Sequence, residues 1–145
     1  MDTTIRDFYR QHSAFTHPGK YAHLLDTLPD EVSGIVRCVQ GLLIQPYPHI
    51  LSLHKVRIRQ INNAGFGIRA IEATIERILS IHNAPLNKTR PPEKRLGVNC
   101  RNFATLLVSI LRHKGIPARE RVGFAGYLSG KIHYEHRITE YWDDL

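Results

Sequence analysis

The sequence predicts an α+β fold: a helical N-terminal half, then a cysteine-bearing helix packed on a small antiparallel sheet. Three observations predict it. Apolar residues recur at helical spacing up to about residue 82, a fully punctuated helix occupies 99–114, and from residue 118 two short alternating runs flank a glycine-containing turn. A chain of 145 residues has the length of one domain, and 42% hydrophobic with 23% charged residues is the composition of a chain that buries a core. The expected organisation is a single domain, 1–145, made of a helical region (1–82), a connector (83–95) and a helix with a β-hairpin (96–145).

The opening "MDTTIRDFYRQH" is polar and mixed in charge, without the apolar run of a secretory signal. "PGKYAHLLDTL" reads as a short helix and "PDEVSGIVRCVQGLLIQ" as a longer one. Pro29 and two acids suit the start of the second; Val32, Ile35, Val36, Val39, Leu42 and Leu43 form its apolar stripe, and Pro46 should end it. "PYPHILSLHKVRIRQINNAGFG" has no clean period. In "IRAIEATIERILSIH", residues Ile68, Ile71, Ile75, Ile78, Leu79 and His82 share a helical face. "NAPLNKTRPPEKR", rich in Pro, Asn and charge, reads as an exposed connector.

In the 99–114 helix Asn99 suits the N-cap, Gly115 the left-handed residue beyond the last turn, and Pro117 blocks continuation. Cys100, Phe103, Ala104, Leu107 and Leu111 share one face. "ARERVGFAGY" and "IHYEHRITEYW" then read as a hairpin around "LSGK". Strand alternation puts Tyr134, His136, Ile138, Glu140 and Trp142 on one face, and Glu135, Arg137, Thr139, Tyr141 and Asp143 on the other. The His136 face is the more apolar, so the preceding helix should cover it and bring His136 toward Cys100.

Composition narrows the function. The longest uncharged stretch, Cys38 to Leu53, is broken by Pro46 and Pro48 and is too short to span a bilayer, so no membrane role is expected. The two cysteines, Cys38 and Cys100, lie far apart, which is neither a disulfide framework nor a metal-finger spacing and fits a reducing, cytoplasmic setting. Net charge is +7, with nine Lys or Arg from Lys88 to Arg121 against Glu93 and Glu120. Without aromatic interleaving, a Gly-rich phosphate loop or a recognition-helix signature, this reads as a solvated basic surface rather than a nucleic-acid site.

A thiol in the first turn of a helix is favoured as thiolate by unpaired N–H groups and the helix dipole. An adjacent histidine would form an ion pair with it and later deliver a proton to a leaving group. Cys100 and His136 are the candidate pair. The same spacing also allows an inert core thiol beside Phe103 and Leu107, and a structural histidine on a half-apolar strand. A metal site from Cys100, His133 and His136, with His113, suffers from strand geometry: residues three apart face opposite sides. No metal and no cofactor are expected. The remaining histidines, His12, His17, His23, His49, His54 and His82, lack ligand spacing, and Cys38, among Val36, Val39 and Leu42, reads as a buried structural thiol.

"VNCRNFATLLVSILRHKGIPARERVGFAGY" followed by "YEHRITEYWD" resembles the core of the transglutaminase-like superfamily, cysteine enzymes of papain-like fold. Cys100 matches the nucleophile; Arg112, Gly115, Ile116, Pro117, Ala118 and Arg119 match the turn into the first strand, Gly123 and Phe124 follow it, and His136 matches the general base. The upstream "HPGKY" and "VQGLLIQP" resemble bacterial members with a helical N-terminal half. The resemblance implies a transglutaminase-like domain that carries out acyl transfer on a protein or peptide amide, as peptidase, amidase, deamidase or transglutaminase. The resemblance does not identify the oxyanion donors; the Cys100 N–H is a natural candidate, with Gln40 or Gln45 as candidate partners. The alternative is a catalytically inactive fold of this kind acting as a protein-interaction module.

Two departures stand out. Arg137 replaces a common Trp, a change expected to alter the surface because that neighbour points away from His136. The superfamily's third residue, an Asp on a later strand, is expected to be missing, since the sequence stops at Leu145 as if truncated. Asp143 lies about 23 Å and Glu140 about 13 Å from His136 along an extended strand, so an orienting acid must come from elsewhere, such as Glu72, Glu76, another protomer or residues absent from this chain. Exposed hairpin edges invite a homodimer.

Overall fold

The structure, a computed structural model, describes residues 3–62, 65–128 and 130–143. Its α+β architecture begins with α1 (Thr3–Arg10), α2 (Ala22–Leu25) and α3 (Val32–Leu42), the last turning Ile35, Val39 and Leu42 into the core. α3 stops four residues before Pro46. Leu43–Ile44 leave the helix as strand β1, which pairs in parallel with β2 (Leu96–Gly97), and Val98 N–H donates to the Ile44 carbonyl at 2.9 Å. The apolar run "LLI" satisfies a helical stripe and a buried strand equally, and the partner strand decided between them.

The unreadable segment forms α4 (Pro48–Leu53), with proline in its first turn. α5 (Ile71–Ile81) buries Ile71, Ile75 and Ile78, while Ile68 and His82 of the expected stripe lie outside the helix. The connector 83–95 is not simply exposed. Leu86 and Arg90 are buried, and the Arg90 guanidinium donates to the carbonyls of His82 (3.2 Å), Ala84 (2.8 Å) and Lys88 (3.3 Å). One charged side chain thereby supplies the donors that a loop folded on itself would otherwise lack.

α6 (Cys100–His113) runs through the centre. Asn99 is extended and its side chain accepts from Asn102 N–H; at the other end Gly115 (φ +78°) donates to Arg112 O, and Ile116 N–H to Leu111 O, a complete Schellman closure. The helix is buried on more than the expected face. Leu106, Val108 and Ile110 enter the core, Ser109 donates to Thr16 O at 2.6 Å, and Asn102 donates to Gly65 O and Ile68 O.

β3 (Ala118–Ala125) and β4 (Tyr134–Tyr141) form the antiparallel hairpin, with Gly123 opposite His136 and Glu120 opposite Thr139. Their connection is longer than a tight turn: residues 126–133 intervene, beginning with a 3-10 turn, and Ser129 of "LSGK" lies outside the described residues. Trp142 falls just beyond β4 and stacks on Tyr9 of α1.

The expectation about the covered face is overturned. Thr139 donates to Ala104 O of α6 at 3.2 Å, and Thr105 of α6 donates to Glu120 at 2.6 Å, so the helix lies against the Glu120–Thr139 face. Ile138 and Tyr134, on the His136 side, remain about half exposed. The contact is polar at both ends: the Thr105 hydroxyl, within reach of the Arg101 carbonyl as well, meets Glu120, and the Thr139 hydroxyl meets the Ala104 carbonyl.

Candidate active site

Cys100 stands at the first position of α6, where the chain leaves the β1–β2 ribbon. Val98, fully buried two residues earlier, and the Asn99 cap hold this entry point. Cys100 is half-buried and opens onto a cavity of about 300 Å³. Val36, Val39 and Gln40 of α3 line one side, Phe103, Ala104 and Leu107 of α6 another, with Gln45 after β1 and four successive residues of β4, His136 to Thr139, completing the wall. The structure thus brings Cys100, His136, Gln40 and Gln45 to one cavity.

His136 stands at the boundary between this cavity and a groove on the outer hairpin face lined by Arg121, Gly123, Phe124 and Tyr127. Its ring meets the Tyr127 ring edge-on, with centroids 6.5 Å apart. Gly123 opposite it carries no side chain, which leaves that side open. Among the described residues neither Cys100 nor His136 makes a side-chain hydrogen bond.

Arg137 is not a bystander on a remote surface. It lines the Cys100 cavity and pairs with Glu120 (3.4 Å) and Glu135 (3.3 Å), a consequence of α6 packing on its side of the hairpin. Glu140 is taken up by Arg119 (2.9 Å) and Arg121 (2.7 Å). The acids considered from α5 lie elsewhere: Glu76 pairs with Lys20 at 3.0 Å, and Glu72 accepts from the Lys20 N–H. Neither lines the cavity.

Cys38 packs at the core margin, and burial pushes its thiol pKa up, with Arg37 opposing weakly. His113 sits 2.7 Å from Asp26 instead of near Cys100, and among the described residues no three His, Cys, Asp or Glu side chains gather as metal ligands would. Among those residues, too, no helix is long and apolar enough to cross a membrane.

Sequence reasoning missed Val36, Val39 and Arg137 as cavity residues. The first two were legible only as core stripe; Arg137 required knowing which hairpin face the helix covers.

The chain is thus α+β, with a cysteine opening its central helix and a histidine on the following hairpin, both lining one cavity. The model of the transglutaminase-like superfamily core matches residues 61–145, and the chain belongs to that superfamily. The match begins upstream of residue 96, where the quoted motifs start, and takes in α5 and the Arg90 loop; "HPGKY" and "VQGLLIQP" fall outside it. Searches of curated proteins and of solved structures returned no match.

Proposed function

We propose that this chain is a cysteine acyl-transfer enzyme acting on protein or peptide amides, with Cys100 as nucleophile and His136 as general base and acid. The observation that carries the reading is a single cavity lined by both residues, with Cys100 at a helix N-terminus. Sγ of Cys100 attacks the amide carbonyl carbon while His136 holds the thiol proton. Negative charge develops on the carbonyl oxygen, toward the Cys100 N–H and the side-chain amide of Gln40 or Gln45. Collapse breaks the C–N bond, and His136 returns the proton to the departing amine or ammonia. Water or a second amine then attacks the thioester, gives its proton to His136, and releases the thiol.

The mechanism requires the His136 ring to reach Sγ when substrate fills the cavity. Among the described residues no carboxylate bonds the imidazole, and Glu120, Glu135 and Glu140 are each paired with arginine. That pairing favours a second reading, an interaction module that keeps the fold without turnover. A homodimer joined through the free hairpin edges fits either reading, and sedimentation at increasing concentration tests it.

The deciding experiment follows iodoacetamide alkylation of Cys100 against pH, site by site by mass spectrometry, in wild type and His136→Ala. Cys38 is the internal control. The proposal expects Cys100 to react at lower pH than Cys38 and to lose that advantage in the mutant. Equal, sluggish rates at both cysteines, unchanged by His136→Ala, would establish the module instead.

A further inference from the structure

We infer that a second cavity beside the Cys100 site is a subsite for an acidic, glutamate-like side chain of the peptide substrate, an inference resting on the acyl-transfer reading. This cavity, of about 500 Å³, shares Gln40, Gln45 and Phe103 with the Cys100 cavity. A peptide presenting an amide to Cys100 therefore sets a neighbouring residue at its mouth.

The lining has two characters. Arg37 and Arg95 make it cationic, His54 lines it beside them, and no Asp or Glu lines it. Leu43, Ile44 and Ile50 make the rest apolar. Arg95 is pinned by its Nε–H, which donates to the Arg90 carbonyl at 2.8 Å, and its terminal amino groups have no protein acceptor among the described residues. Burial disfavours its charge, an effect that Glu93 only partly offsets; a bound anion would reverse that penalty. Arg37 is exposed and has no carboxylate partner among those residues. A glutamate side chain matches both characters, with methylenes on the aliphatic wall and a carboxylate for two guanidinium groups. A bare phosphate would leave the apolar wall unused.

The test uses Cys100→Ala protein, which binds without reacting, and two capped tripeptides, acetyl-Ala-Glu-Ala-amide and its isosteric glutamine form, with inorganic phosphate as third probe. Binding is followed by the NMR signals of the arginine Nε–H groups. The glutamate peptide should bind about tenfold more tightly than the glutamine peptide, moving the Arg95 signal, and Arg37→Glu should abolish the preference at unchanged melting temperature. Equal affinities, a preference that survives both Arg37→Glu and Arg95→Gln, or tighter binding of phosphate than of the glutamate peptide would overturn the inference. In wild type the glutamate peptide should also slow iodoacetamide at Cys100. A reactive Cys100 without glutamate preference sinks the subsite alone; an inert Cys100 with the preference intact sinks the acyl-transfer reading and leaves the subsite.

Discussion

Replacing Arg90 with methionine tests whether one buried guanidinium organises the loop behind the site. Arg90 is 1% exposed, and its side chain donates to three carbonyls, those of His82, Ala84 and Lys88. Its backbone N–H also donates to Gly41 O, and its carbonyl receives Arg95 Nε. Methionine keeps the aliphatic stem and removes all three side-chain bonds. At roughly 1.5 kcal/mol for each lost charge-assisted bond, the gross loss is about 4–5 kcal/mol. Part of this returns because the guanidinium is buried without a carboxylate, and that burial lowers its pKa. The expected net loss is about 2–3 kcal/mol, or roughly 6–12 °C in Tm for a chain of this size. Urea unfolding followed by circular dichroism, with wild-type and mutant slopes compared, measures it. A loss below about 0.5 kcal/mol would mean that the backbone alone holds the loop, and a gain would mean that desolvation outweighs the three bonds.

Three further outcomes are expected. Gly115→Ala should cost about 1 kcal/mol in the urea midpoint, because φ is +78° while space around the position is open, so the penalty is purely conformational. His12 has its pKa lowered by burial first, then by His17, His113 and Arg112. The folded state therefore prefers the neutral ring: its contribution is intact above the ordinary pKa of 6.5 and is lost as pH falls below it, and His12→Asn should flatten the urea-midpoint profile between pH 7.5 and 5. Glu120→Gln should loosen the hairpin from α6, costing about 1–2 kcal/mol, because Glu120 alone joins Thr105 to Arg137; faster amide exchange across β3 and β4 than across α5 would report it.

Legibility followed the range of the interactions. The α6 boundaries were readable because their causes are local: Asn99 caps its own helix, and Gly115 and Pro117 close it within a few residues. The cysteine and histidine were readable as candidates because motif spacing places them on known elements. The β1–β2 ribbon was not, since Leu43–Ile44 pair with Leu96–Gly97 across more than fifty residues and neither pair carries a strand signal of its own. Arg90 was hidden for the opposite reason: its charge and its Pro-rich surroundings are what exposed loops contain, and only the folded loop reveals three carbonyls converging on it.

The hairpin carries the most consequential difference between pattern and structure. Alternation correctly separated His136 from Arg137, and apolarity then assigned the His136 side to the helix. Hydrophobic count is a poor arbiter when the helix itself presents a hydroxyl. Thr105 meets Glu120, Glu120 meets Arg137, and Thr139 returns a bond to Ala104, so a polar seam rather than an apolar one joins α6 to β4. Because Arg137 sits in that seam and lines the Cys100 cavity, it is a wall of the candidate site. His136, on the outer side, borders both cavity and groove.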